Sequence, residues 1–219
     1  MSICNRLDIT LNMVVLAVSD KVSESLYSDP NPDGDPTYDA ILSCGDLRPG
    51  YLDFLASRFN APLFYVRGNH ANYVEVDSDG TRVTVIHGKN LHRTSTRFGS
   101  LSVAGIEGSI RYNTGTYQYS QRQMWLHAFR LVPSLLANRL RFGRYLDIFL
   151  THAPPWGIND QPDPAHQGVR SFRWLIQTFK PRYHIHGHVH LYKPGIPVSQ
   201  KFFETTVINS YGHQVIEIE

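Results

Sequence analysis

The chain has 219 residues, a length suited to one domain with a sizeable buried core. At 42% hydrophobic and 18% charged residues it is not a disordered chain, and a net charge of +2 makes no electrostatic case for a nucleic-acid partner. Its two cysteines, Cys4 and Cys44, form no C-x-x-C pattern and indicate neither a disulfide framework nor a thiolate zinc site.

Residues 1–11 read as a short extension of a single domain spanning 1–219. The apolar run 12–19 reads as a first strand. It is too short to span a bilayer and has no signal-peptide cleavage pattern, so a soluble cytoplasmic protein without a membrane partner is expected. The stretch 28–36 is dense in Asp, Pro and Gly. Prolines interrupt the spacing of a calcium loop and a terminal Glu is missing, so a solvated surface loop is expected. Strand 38–44, helix 50–59 and strand 62–67 make a right-handed βαβ unit with parallel strands. Residues 81–87 and 101–107 are β-rich, with a turn at Gly88-Lys89-Asn90. The helical spacing over 121–141 should be split in two by Pro133. Strand 145–151, helix 169–179 and strand 183–187 follow, and strands 205–209 and 214–218 close the chain. Such βαβ halves with β-rich inserts predict an α/β fold of two packed sheets flanked by helices.

Each strand-like run ends in a short polar block: Ser19-Asp20, Gly45-Asp46, Gly68-Asn69-His70, Thr151-His152 and His186-Gly187-His188-Val189-His190. Singly, each has an ordinary reading, with Asp20 and Asp46 as helix caps and Gly68-Asn69 as a turn. Together at strand ends they point to one site, because α/β sheets bind ligands at the carboxyl ends of their strands. Carboxylate, amide and imidazole donors suit Mn, Fe or Zn better than Ca or Mg.

In their order these blocks resemble the calcineurin-like metallophosphoesterases, two-metal hydrolases of phosphate esters, and the resemblance runs from about Met13 onward. It implies a four-layer α/β/β/α sandwich of two mixed sheets flanked by helices. It also implies up to two divalent cations per chain bridged by Asp46, with Asn69, His152 and His188 on the second and Asp20 and His190 on the first. His70 would be catalytic, beside the leaving-group oxygen. Manganese is the first expectation, with iron, zinc or cobalt as alternatives. The implied partner is a small phosphate ester, diester or monoester, with a nucleotide among the candidates. Arg48, Arg67 and Arg111 are candidates to bind its phosphate, and Asp160 and His166 share the loop after His152 that borders the pocket.

Two positions depart from the family. Val22 stands where the family has the histidine of D-x-H, and Ala71 where an acidic residue often follows His70. Strand alternation places residue 22 on the face of Asp20 and turns Lys21 away, which leaves the gap to water and weakens the first metal site. The alternative reading is a catalytically weak phosphate- or nucleotide-binding protein on the same scaffold. His186 is expected to support a ligating imidazole, His184 to pack, and His87, His92 and His127 to be surface or satisfied core residues.

Overall fold

The computed structural model describes residues 12–27, 36–70, 75–76, 82–83, 86–191 and 197–218. The segment 1–11, the acidic, proline-rich loop over 28–35 and Ala71 lie outside them. The chain begins with β1 (Met13–Ser19), β2 (Ala40–Ser43), α1 (Pro49–Arg58) and β3 (Leu63–Tyr65). Two-residue strands β4 (Glu75–Val76) and β5 (Arg82–Val83) pair with each other. Next come β6 (Lys89–Asn90), β7 (Thr94–Phe98), β8 (Leu101–Ile106), β9 (Ser109–Ile110) and β10 (Gln118–Tyr119). The remainder is α2 (Gln121–Phe142), β11 (Ile148–Thr151), α3 (Arg170–Phe179), β12 (Tyr183–His186), β13 (Ser199–Phe202), β14 (Thr205–Asn209) and β15 (Gly212–Ile218).

The strands form two mixed sheets, ordered β15-β1-β2-β3-β6 and β13-β14-β12-β11-β8-β7. Neighbours β1, β2, β3 and β6 run parallel, as do β14, β12, β11 and β8, and antiparallel strands sit at the edges. Side chains alternate across each strand, and both faces of the central strands are covered, which explains their unbroken apolar runs. Along β1, Val15 and Ala17 enter the core between the sheets, while Leu16 and Val18 pack with Leu52 and Leu55 of α1. Along β11, Ile148 and Leu150 face the inter-sheet core and Phe149 faces α2 and α3. The result is a four-layer α/β/β/α sandwich. All the parallel strands bearing the polar blocks deliver them to their carboxyl ends.

Three expectations need correcting. Pro133 does not divide α2, which is continuous from Gln121 to Phe142. Pro133 lies on the solvent side, where the carbonyl it leaves unbonded can be hydrated. The helix is also anchored at both ends, by a Ser120–Gln123 capping box and a left-handed Gly143 cap. The Gly88-Lys89-Asn90 turn contains β6, a strand that continues the first sheet by pairing with Phe64 and Tyr65. His127 is buried, and neither of its ring nitrogens has a hydrogen-bond partner among the described residues, so it is not the satisfied core residue expected. No helix among the described residues is long and apolar enough to cross a membrane.

Burial holds His127 neutral, with its pKa lowered from 6.5 to about 4, and lowers His92 to about 3. Both take up protons near 6.5 once unfolded, so their contribution to stability is complete above that pH and declines as pH falls toward the folded values. The melting temperature should therefore drop between pH 7.5 and pH 5, and His127→Phe should flatten that decline. A pH-dependent melting series on both proteins measures it.

Candidate metal centre

Three residues at the strand ends adopt left-handed backbone: Asp20 (φ 60°), Asp46 (φ 56°) and His188 (φ 67°). For non-glycine residues this costs ~1–3 kcal/mol each and persists only where neighbours enforce it. Here the neighbours are hydrogen bonds between loops. Asp20 donates its N–H to Gly45 O (3.1 Å), and its Oδ2 accepts from the N–H of His188 (2.9 Å). Asp46 Oδ1 accepts from the N–H of His70 (2.9 Å). Such close approach leaves no room for side chains. A Cβ on Gly68 would overlap Asp46 Oδ1, and one on Gly187 would overlap Asp20 Oδ2. The glycines of the Gly-Asn and Gly-His blocks are thus steric requirements of the carboxylates they abut.

Asp20, Asp46 and His152 each present a ligand atom, all within 4.8 Å of one another. His152 is fully buried. Its Nδ1 donates to Cys44 O (2.8 Å), which aims Nε2 at Asn69 Oδ1 (2.8 Å) and Asp46 Oδ2 (3.2 Å). Two acceptor oxygens facing one ring nitrogen are compatible only with a proton or a cation between them. With a proton there, burial opposes the charge on His152, yet the Asp46 carboxylate overcomes it and raises the pKa to about 9. Burial likewise disfavours ionised Asp20, but hydrogen bonding to His190 and the nearby His152 hold it at about 2. Asp46 is lowered as well, against its burial, chiefly by His152. A divalent cation in place of the proton would be met by the same oxygens and the same nitrogen lone pair, so this donor set fits a metal.

The remaining proposed ligands gather around this group. His188 donates from Nε2 to Ala165 O (2.7 Å), which frees Nδ1, and its ring lies 4.8 Å from that of His152. His190 Nε2 is 3.7 Å from Asp20 Oδ1. His186 stays behind them: its Nδ1 donates to Gly187 O (3.0 Å) and its Nε2 accepts from Asn159 Nδ2 (3.1 Å). His184 is buried and donates from Nε2 to Thr151 Oγ1 (2.8 Å). Arg48 caps α1 on the exposed surface. Arg67 faces Glu107 (3.9 Å) and lies over the Tyr117 ring. The Arg111 guanidinium bonds Gln118 O through Nε (3.3 Å) and Nη2 (3.1 Å), fastening the loop between β9 and β10.

The structure also changes how residues 21 and 22 are placed. Lys21 N–H donates back to Ser19 O (2.6 Å), so the chain bends sharply at Asp20 and strand alternation stops there. Lys21 and Val22 both line a cleft of about 410 Å³, together with Ser23, Tyr211 and His213. Tyr112 is a residue that sequence reasoning passed over. Its hydroxyl accepts from Asn69 Nδ2 (3.0 Å) and donates toward His70 Nε2 (3.3 Å). The first bond turns the amide so that Oδ1 faces His152. More than forty residues separate Tyr112 from either partner, so no local pattern could reveal it.

The model of the Calcineurin-like phosphoesterase family matches residues 18–192. The chain belongs to this family. No curated protein matches it. Among solved structures it is similar to TT1561 of Thermus thermophilus, with 18% identity, 91% of this chain and 89% of that one covered, and a TM-score of 0.55. It is also similar to the phosphopantetheinyl hydrolase PptH from Mycobacterium tuberculosis, with 12% identity, 91% and 89% coverage, and a TM-score of 0.51. Those likenesses establish the fold. Membership of this phosphoesterase family makes the cluster of Asp20, Asp46 and His152 the candidate group for a divalent metal.

Two substitutions probe the site's construction. Gly187→Ala should push the His188 loop off Asp20 and abolish tight metal binding, which calorimetric titration with Mn would show. Tyr112→Phe leaves Asn69 Nδ2 without its acceptor and should weaken metal affinity roughly 10–100-fold, as lost partners of metal ligands do. The same change should cost only about 1 kcal/mol of folding stability in a denaturant titration.

Proposed function

We propose that the chain is a metal-dependent phosphoesterase that hydrolyses a phosphodiester or phosphomonoester. The observation that carries this reading is the convergence of Asp46 Oδ2 and Asn69 Oδ1 on His152 Nε2, with Asp20 alongside. Divalent cations held there supply Lewis acidity, charge neutralisation at the phosphoryl oxygens and a water of lowered pKa. Manganese is the first choice, then iron, zinc or cobalt. Asp46 would be the carboxylate shared by two ions, with Asn69, His152 and His188 completing one of them and Asp20 and His190 the other.

The rest of the chemistry belongs to side chains of this chain. Asn69 contributes an oxygen without negative charge, so the centre keeps its attraction for an anionic phosphate. His70 is exposed at the rim, its ring oriented by Tyr112. As water bonds to phosphorus from the opposite side, the bond to the leaving oxygen breaks and His70 gives that oxygen a proton. Arg67 is held nearby by Glu107 and Tyr117 and adds positive charge for the phosphate. The cleft beside Val22 is lined largely by polar groups and is of a size for the organic part of a small phosphate ester, nucleotides included.

A second reading draws on Val22, which offers no lone pair where the family has an imidazole. It is a phosphate- or nucleotide-binding protein with little turnover. Hydrolysis of bis-p-nitrophenyl phosphate and p-nitrophenyl phosphate separates the two. Turnover should be lost with a chelator and return with Mn. His70→Ala should lower it roughly 10²–10⁴-fold while the metal content is unchanged. Phosphate binding without turnover of either ester would favour the second reading.

A further inference from the structure

We propose that His166 is a further ligand of the metal centre and supplies the imidazole that Val22 lacks. The inference rests on the metal-centre reading above and extends its donor set. His166 lies on the loop between β11 and α3, 144 positions beyond Val22 in the sequence. That loop is closed at its base, where Trp156 N–H donates to Val169 O (3.2 Å) and Val169 N–H donates to Pro154 O (2.9 Å). Higher up, Gln161 N–H donates to His166 O (3.1 Å), and the Asp163 carboxylate accepts from the N–H groups of Ala165 (3.0 Å) and His166 (3.2 Å). The loop is tied to the centre by one of its ligands, because His188 Nε2 donates to Ala165 O (2.7 Å).

The ring of His166 is prepared as a ligand. Its Nδ1 is 3.0 Å from both oxygens of Asp163. A carboxylate on one ring nitrogen fixes the tautomer, orients the ring and leaves the other nitrogen basic, the arrangement that metal-binding histidines use. Among the described residues nothing hydrogen-bonds Nε2 of His166. The ring is 5.3 Å from that of His188 and 6.5 Å from that of His190. Two imidazoles bound to one ion at ~2.1 Å keep their ring centres within about 6.5 Å of each other. Both separations meet that limit, as does the 4.8 Å between His152 and His188. No histidine is needed at position 22 if the loop between β11 and α3 brings one. The bend at Asp20, which carries Val22 into the neighbouring cleft, is compatible with that exchange.

Cobalt(II) titration of the purified chain, read by visible absorption and calorimetry, tests the assignment without relying on turnover. His166→Ala should weaken cobalt binding at least tenfold and change the absorption band, since a nitrogen donor is lost. His166→Cys should instead give the intense near-ultraviolet band of a thiolate bound to cobalt, which a packing role for His166 would not allow. Cobalt affinity and spectrum unchanged in His166→Ala would overturn the proposal, as would a His166→Cys chain that binds cobalt without the thiolate band. His152→Ala, measured beside them, separates the two levels of inference. If it too binds cobalt like the unaltered chain, the metal-centre reading fails and His166 falls with it. If it loses cobalt while His166→Ala does not, only the role of His166 is overturned.

Discussion

Two carboxylates organise the functional end of this fold, because each is hydrogen-bonded by the backbone of a loop from another part of the chain. Asp20, at the end of the first strand, takes the N–H of His188, which follows a strand of the other sheet. Asp46 takes the N–H of His70. Amide donors keep a carboxylate ionised even when buried. The two anions therefore create a point of concentrated negative charge, and the imidazoles of His152 and His190 are drawn to it. The steric demands of Gly68 and Gly187 follow from the same bonds, as does the left-handed backbone at Asp20, Asp46 and His188.

Strained loops of this kind need a rigid base. Strands such as β1 and β11 are buried on both faces, and a close-packed interior resists the small shifts that would relax the loops. Polar links extend the support outward. Gln200 on the edge strand β13 bonds Asn159, Asn159 bonds His186, and His186 bonds Gly187 O, one residue from a proposed ligand. Ser210, the residue after β14, reinforces the same turn, with its N–H and its hydroxyl both donating to His186 O. Through these contacts the second sheet's edge sets the position of the His188 loop.

Much of this was legible in the chain. The apolar runs located the central strands, since strands covered on both faces carry few polar residues and pair those they have, as β12 does with His184 and His186. The edge strands β6, β7 and β13 escaped notice because short, half-exposed strands carry polar sequences with no distinctive period. Pro133 misled for a related reason: a local rule about helices does not know which side of the helix faces water.

The polar blocks themselves, as residue types at strand ends in a given order, were determined by the sequence alone, because the chemistry of a donor does not depend on its surroundings. Tertiary structure alone decided which donors converge and what orients them. Tyr112 turns the Asn69 amide from across more than forty residues, and Asp163 frees one nitrogen of His166 beside His188. The bend at Asp20 likewise annulled the alternation that strand geometry predicts for residue 22. Hydrogen bonds between residues far apart in the chain leave no periodicity to read, so only the folded chain shows them.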